Sequence, residues 1–226
     1  IKFAQVKFVV NYGSVLGKIG YHDGSVRSLA DFIMPFIVDN ERADPHSKIY
    51  DESWVDPFHS FYDPWLGWRI VSKEPLVIEY YVNYTLLDAE LIAATYAIWP
   101  SIPWHVYYIG VLAEENKELA FSADKSNALK VEWTNYIAGP SLAVLEKYLN
   151  KSLKEGLIPY EKFFRTQGYI TIDDAKKRYS NYMNFYKKYG HFWVGDGPYF
   201  VEKVDAIAHT CTIKSIRLLP YLIEKP

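Results

Sequence analysis

Hydrophobic periodicity changes twice along this chain, and that change limits the architectures open to it. Residues 1–10 alternate between apolar and polar and are rich in β-branched and aromatic side chains, the period of a strand with one buried face. The same period returns over residues 68–72 and 76–84, with Lys73-Glu74-Pro75 as the turn between them. There Ile78, Tyr80 and Val82 fall on one face, and Val77, Glu79, Tyr81 and Asn83 on the other. It returns again near the end, over residues 199–204 and 210–218, which read as a β-hairpin or two neighbouring strands after a tight Gly-Asp-Gly-Pro turn. Between these regions the apolar spacing is helical. The expected fold class is therefore α/β, with a mixed sheet, helices clustered in the middle of the chain, and strands from the two ends sharing one sheet.

Local signals place the helices. Ser28 caps residues 29–42, with Asp31 in the first turn and Leu29, Phe32, Ile33, Phe36 and Ile37 at helical spacing. Pro35 predicts a kink or a restart there. Asp88 caps residues 88–97, and Pro103 opens 104–115. Residues 126–133 are read as helical. In 141–155, Leu142, Leu145, Leu149 and Leu153 form one stripe, and Gly156 stops it. Thr171 opens a helix to about residue 188, with Asp173 and Asp174 in its first turn, where carboxylates are favoured. Residues 43–64 show no clear period and have room for a short helix over 53–61. Their length marks a packed or functional excursion. No internal domain boundary is assigned within residues 1–226.

Composition removes several functional classes. The 226 residues are long enough for a sizeable core, and half are apolar, which argues against disorder. A formal net charge of −2 without runs of like charge gives no reason to expect a nucleic-acid partner. The single cysteine, Cys211, excludes an internal disulfide and reads as a small buried apolar residue in a strand. No apolar run is long enough for a transmembrane helix. The chain opens at Ile1 on strand-like alternation and is read as a fragment or a processed product.

Catalytic signatures are equally sparse. Neither a Gly-x-Gly-x-x-Gly nor a Walker A pattern occurs, nor a Gly-x-Ser-x-Gly elbow, nor zinc-ligand spacing among the six His residues. The carboxylate pairs Asp51/Glu52, Glu114/Glu115 and Asp173/Asp174 are adjacent in sequence, so their side chains diverge. Glycoside hydrolysis needs two carboxyls facing each other across a cleft. No catalytic residue, metal ligand or cofactor is therefore assigned. The aromatic content, 17%, is the unusual quantity. Rings and polar groups crowd residues 54–68 and 99–108 on irregular backbone, either as a binding surface or as lobe interior.

Two motifs resemble one family. The first is Tyr21-His22-Asp23-Gly24-Ser25-Val26-Arg27-Ser28-Leu29-Ala30-Asp31, and the second is His191-Phe192-Trp193-Val194-Gly195-Asp196-Gly197-Pro198-Tyr199. They resemble, in order, the His-Asp-Gly element and the Gly-x-Gly-Pro-Tyr turn of family 5 extracellular solute-binding proteins of ABC importers, the oligopeptide and dipeptide class. Residues 99–104, 120–122 and 175–189 look like that family's middle segments. Leu218-Leu219-Pro220-Tyr221 resembles its Tyr-Pro close with the order reversed.

The resemblance implies a type II periplasmic-binding-protein-like lobe, with this chain as the C-terminal part: one lobe and part of the second. It implies capture of a peptide or oligosaccharide outside the cell and delivery to an ABC permease in the membrane. It further implies an extracellular or periplasmic location, tethered through a segment outside this chain, and no enzymatic activity. Both motifs are structural within the family and transfer no ligand contact. The ligand-binding candidates are the aromatics Trp54, Tyr62, Trp65, Trp68, Trp99 and Trp104. Two rival functions stand beside this one: a carbohydrate-active enzyme domain, and a surface-layer or assembly domain without a small ligand. The Asn83-Tyr84-Thr85 and Asn150-Lys151-Ser152 triplets fit the N-glycosylation sequon and add weak weight to an outside location.

Overall fold

The computed structural model describes residues 3–18 and 20–216. The family-like close at Leu218–Tyr221 lies outside the described residues, as does the end of the last expected strand. The main sheet has three antiparallel strands, β1 (Val6–Gly13), β2 (Trp65–Lys73) and β3 (Leu76–Val82), in the order β1-β3-β2. The alternation of β3 is realised as expected. Ile78, Tyr80 and Val82 are fully buried, and Glu79 on the other face gathers Lys7 Nζ at 3.2 Å, Arg69 Nη2 at 2.7 Å and the Tyr81 hydroxyl at 2.6 Å. Helix α1 (Leu29–Ala43) contributes Phe32 to the core under this sheet, where the edge of the Tyr12 ring meets it at 5.4 Å. Pro35 does not interrupt α1, which runs through it as one assigned helix.

Helix α2 (Glu52–Tyr62) fills the aperiodic excursion, and α3 (Ala89–Tyr96) is capped by the Asp88 carboxylate. Helix α4 (Trp104–Glu115) is the centre of the second, larger core. Its residues are buried on almost every side, as an apolar helix enclosed by other elements must be. Around it lie α6 (Ser141–Glu155) and α8 (Ile172–Tyr189), with α1 on the side of the sheet. Leu145 and Leu149 of the predicted stripe are fully buried, and Gly156 ends α6 in the left-handed region at φ 66°. Two smaller elements precede α6: the parallel pair β4 (Leu119–Ala120) and β5 (Glu132–Trp133), with α5 (Ala123–Leu129) between them. Helix α7 (Glu161–Thr166) was not foreseen. The chain then forms a hairpin, β6 (Tyr199–Asp205) and β7 (Thr210–Ser215).

Four expectations change. The first and last strands do not share a sheet: β1 pairs with β3, whereas β6 and β7 pair only with each other among the described residues. Closing a four-residue connection costs far less chain entropy than joining strands from opposite ends of the chain. Nor do the described residues form one mixed sheet; they are mixed α/β with small sheets, two antiparallel and one a two-residue parallel pair. The helix expected over 126–133 begins earlier and stops at Lys130, which takes the left-handed conformation at φ 56° and frees residues 132–133 to pair. Cys211 is exposed rather than buried, because no other element among the described residues covers β7. No helix among the described residues is long and apolar enough to cross a membrane.

Candidate functional site

The first motif folds into a tight turn and then the start of α1. Gly24 at φ 86° allows the turn, closed by Gly24 N–H to Tyr21 O at 2.9 Å. Asp23 accepts from the Ser25 N–H at 2.9 Å and meets His105 Nε2 at 2.7 Å; both side chains of that pair are fully buried. Burial alone would raise the Asp23 carboxyl, but His105 and Ser25 outweigh it and hold it below its ordinary value. Asp31, eight residues on, is completely buried. It accepts from the Ser28 N–H at 2.7 Å, the Trp104 N–H at 2.8 Å and both terminal nitrogens of Arg178, at 2.7 and 3.0 Å. One carboxylate thus ties the starts of α1 and α4 to α8, and the two-pronged guanidinium contact fixes the angle as well as the distance.

The second motif docks onto the first, 173 residues away in sequence. His22 reads the backbone of the Gly-Asp-Gly turn at three points. Its N–H donates to Gly195 O at 2.9 Å, its Nδ1 accepts from Gly195 N–H at 3.2 Å, and its Nε2 reaches Gly197 O at 2.9 Å. Because Nδ1 accepts, Nε2 must carry the ring proton. Asp196, between the glycines, pairs with the buried Arg27 and accepts from the Trp99 indole N–H at 2.8 Å. The Arg27 guanidinium lies 4.2 Å from the Trp99 ring and 5.1 Å from that of Tyr21, a cation held between two aromatic faces. The Tyr21 hydroxyl donates to Pro100 O at 2.9 Å, and Tyr12 donates to Ile98 O at 2.8 Å. The aromatic loop 97–103 is therefore pinned to both motifs and to the sheet.

Beside this junction is an apolar cavity of about 160 Å³. Its walls are Ile102 from the loop, Val106 and Tyr107 from α4, Phe121, Tyr136, and Phe192 to Val194 from the second motif. Each wall is fixed by backbone bonds. Phe192 N–H donates to Tyr136 O at 2.7 Å, Tyr182 donates to Phe192 O at 3.0 Å, and Trp193 N–H donates to His191 Nδ1 at 3.1 Å. The other ring nitrogen of His191 donates to Val201 O at 2.9 Å, and burial lowers the pKa of this imidazole, keeping it neutral. Burial pushes the Tyr107 hydroxyl up to about 12 and that of Tyr136 higher still, so both remain neutral hydrogen-bonding groups. Gly110 on α4 makes this wall possible: a Cβ there would stand 2.2 Å from the Tyr136 hydroxyl and 2.7 Å from the Phe121 ring.

The six aromatics proposed from sequence do not converge. Trp104 is 1% exposed and packs inside the helical core, where Tyr179 meets it edge-on at 5.7 Å, and it borders a separate cavity with Tyr169, Arg178 and Asn181. Trp65 is also buried, against Phe36 at 5.0 Å. Tyr62 touches Trp65 at 5.7 Å and donates to Asp39 at 2.9 Å, and Trp54 donates to the Asp39 carbonyl at 3.1 Å beneath Arg42. These three line the outer side of α1, away from the junction. Trp68 stacks on Tyr80 at 6.4 Å and borders a shallow groove with Ile33, Phe36, Ile37, Phe163 and Tyr169. Trp99 alone, 46% exposed, reaches the junction. Among the cavity residues Tyr136 carried no sequence signal; Tyr107 lay in the aromatic stretch 99–108, Phe121 in the family-like segment 120–122, and Phe192 and Trp193 within a motif read as structural.

The adjacent carboxylates have structural partners. Asp51 caps α2 and pairs with Arg42 at 2.9 Å; Glu114 is buried against Lys125 at 2.6 Å; Asp174 bonds Thr171 at the start of α8. None of them lines the cavity. Among the described residues no group of three or more His, Cys, Asp or Glu is placed to hold a metal ion. Compared with known proteins, the chain matches no family model and no curated protein.

Proposed function

We propose that this chain belongs to a solute-binding protein of an ABC importer, of the oligopeptide and dipeptide class, and forms part of a type II periplasmic-binding-protein-like lobe. The observation that carries this is the docking of the two family-like motifs on each other through His22, Arg27 and Asp196. Segments that resemble a family in order and also meet in space are stronger support than either motif alone. The separation of the first and last strands counts against a lobe closed by a single sheet, so the support lies in the junction and not in the sheets. In this function the protein captures a peptide or oligosaccharide outside the cell, and the ligand stabilises a closed form through contacts missing from the open one. The bound solute then passes to a permease in the membrane. No catalysis is required of the chain.

Trp99 and Trp193 sit at the junction and the cavity with about half of their surface exposed, so solute binding there should change indole emission. Titrating the intact protein with mixed peptides and with oligosaccharides, read by tryptophan fluorescence, tests the proposal. A saturable change with either class supports it. No response to any member of both classes removes it.

A further inference from the structure

We infer that the cavity between α4 and the second motif is an anchoring pocket for one apolar side chain, aromatic or branched, of a peptide solute; this rests on the solute-binding function proposed above and narrows it to peptides. The first reason is size. At about 160 Å³ the cavity matches the volume, about 150 Å³, at which an apolar protein cavity stays dry and accepts a benzene ring. A phenylalanine ring or a leucine side chain fills that space.

The second reason is chemistry. The only side-chain heteroatoms among the lining residues are the Tyr107 and Tyr136 hydroxyls and the Trp193 indole nitrogen. A sugar ring carries several hydroxyls, each of which loses water on entry and needs a partner. With no carboxylate, amide or guanidinium in the lining, most would find none. An apolar side chain leaves nothing unpartnered.

The third reason is preorganisation. The floor, Val106, Phe192 and Val194, is buried, and the rim, Ile102 and Trp193, is 38% and 47% exposed. Phe192 is locked by stacking on Tyr186 at 4.0 Å between ring centres, and Phe121 by the Trp133 indole N–H on its carbonyl at 3.0 Å. Glycine inside a helix is unfavourable relative to alanine. Gly110 nevertheless stands opposite Tyr136 and Phe121, where any side chain would force these walls to move. The pocket is thus shaped before a ligand arrives, and little ordering is left to oppose binding.

Isothermal titration of the intact protein with capped tripeptides tests this: Ala-Phe-Ala and Ala-Leu-Ala against Ala-Ala-Ala and Ala-Lys-Ala. Burying one such side chain predicts about tenfold to hundredfold tighter binding for the first two. Ile102→Trp, a substitution on the exposed rim, should close the mouth and abolish the preference for Ala-Phe-Ala and Ala-Leu-Ala over Ala-Ala-Ala. Toluene, followed by NMR of the Tyr and Trp ring protons, probes the cavity independently of any peptide. Equal affinity across the series, or a preference that survives Ile102→Trp, overturns the pocket and leaves solute binding standing. Toluene binding without binding of any peptide overturns the peptide assignment and leaves oligosaccharide capture to the fluorescence titration. Binding of neither overturns the pocket and the peptide assignment together.

Discussion

Replacing Asp31 with Ala removes a carboxylate that five donors share, two on Ser28, one on Trp104 and two on Arg178, and the consequence can be worked out from the structure. Arg178, whose side chain is 9% exposed, loses its charge partner. An uncompensated buried charge of this kind costs about 3–5 kcal/mol. The Trp104 and Ser28 N–H groups lose their acceptor as well, and an orphaned buried donor costs about 1–3 kcal/mol. These losses overlap, because water entering the vacated space can serve more than one donor. The net expectation is about 4–6 kcal/mol, a large share of the roughly 5–15 kcal/mol that holds a domain together. Urea denaturation followed by circular dichroism reads it directly: with a slope of about 3 kcal/mol per molar, the midpoint should fall by about 1.3–2 M. Arg178→Met in both backgrounds completes a double-mutant cycle, with coupling of at least about 2 kcal/mol because the single variant leaves a charge stranded and the double does not. A midpoint shift below about 0.3 M, or simple additivity in the cycle, would refute the assignment of Asp31 as the residue joining α1, α4 and α8.

Other consequences are tested by titration and substitution. His191 is held neutral by burial, so its pKa lies below that of the unfolded chain and the unfolded chain binds more protons; stability should be retained above about pH 6.5 and decline as pH falls below that value. Thermal melts between pH 7.5 and 5 should show this slope, and His191→Gln should flatten it. Glu79 is drawn down to about 2, first by the Tyr81 hydroxyl and then by Lys7 and Arg69. Its contribution is complete above the ordinary carboxylate range and is lost as pH falls toward about 2, so Glu79→Gln should reduce the steepness of acid unfolding there. Burial raises the Glu114 carboxyl despite Lys125. Lys125→Met should therefore destabilise by about 3 kcal/mol at pH 8, where the carboxylate is left alone, and by less at pH 5, where it takes up a proton. Urea midpoints at the two pH values decide it; equal losses would exclude the charge explanation. Gly110→Ala should shift the near-ultraviolet dichroism of the tyrosines by displacing Tyr136, and an unchanged spectrum would mean the wall gives way at no cost.

Legibility in the sequence followed the range of the interactions. Helices α4 and α6 occupy their expected bounds because the signals are local: Pro103 before one, Gly156 after the other. The Asp88 and Thr171 caps were legible for the same reason. The helix expected over 126–133 failed because Lys130 turns left-handed, and a two-residue pairing between β4 and β5 has no period to reveal it. Alternation identified β1, β6 and β7 as strands, and the short connection between the last two made them neighbours, as they are; the partner of β1 is a long-range choice that alternation could not make. The aromatic candidates show the same limit. Trp104 follows a proline and Trp193 stands two residues before a glycine, yet one begins a helix, its N–H captured by a buried carboxylate, and the other stands at a cavity rim. Tyr136 was invisible because what sets it apart is the helical glycine opposite, 26 residues before it.

The first motif places three charged groups in the interior within nine residues, Asp23, Arg27 and Asp31, and each is answered from a distant segment by His105, Asp196 and Arg178. Such pairs add little net stability over well-packed apolar residues, because desolvation offsets most of their attraction. They do discriminate between arrangements: a loop shifted by one residue would strand a charge rather than merely lose a contact. Their joint effect is to fix loop 97–103 and the Gly-Asp-Gly turn relative to α4, and those are the segments from which Ile102, Val106 and Trp193 face one another across the cavity. A motif that does not line the cavity can therefore set the dimensions of the space proposed to take a solute. On this basis His22→Ala, which leaves the cavity lining untouched, should weaken capture of an aromatic peptide while sparing the fold, and Trp193 should report the loosened rim as increased quenching by acrylamide.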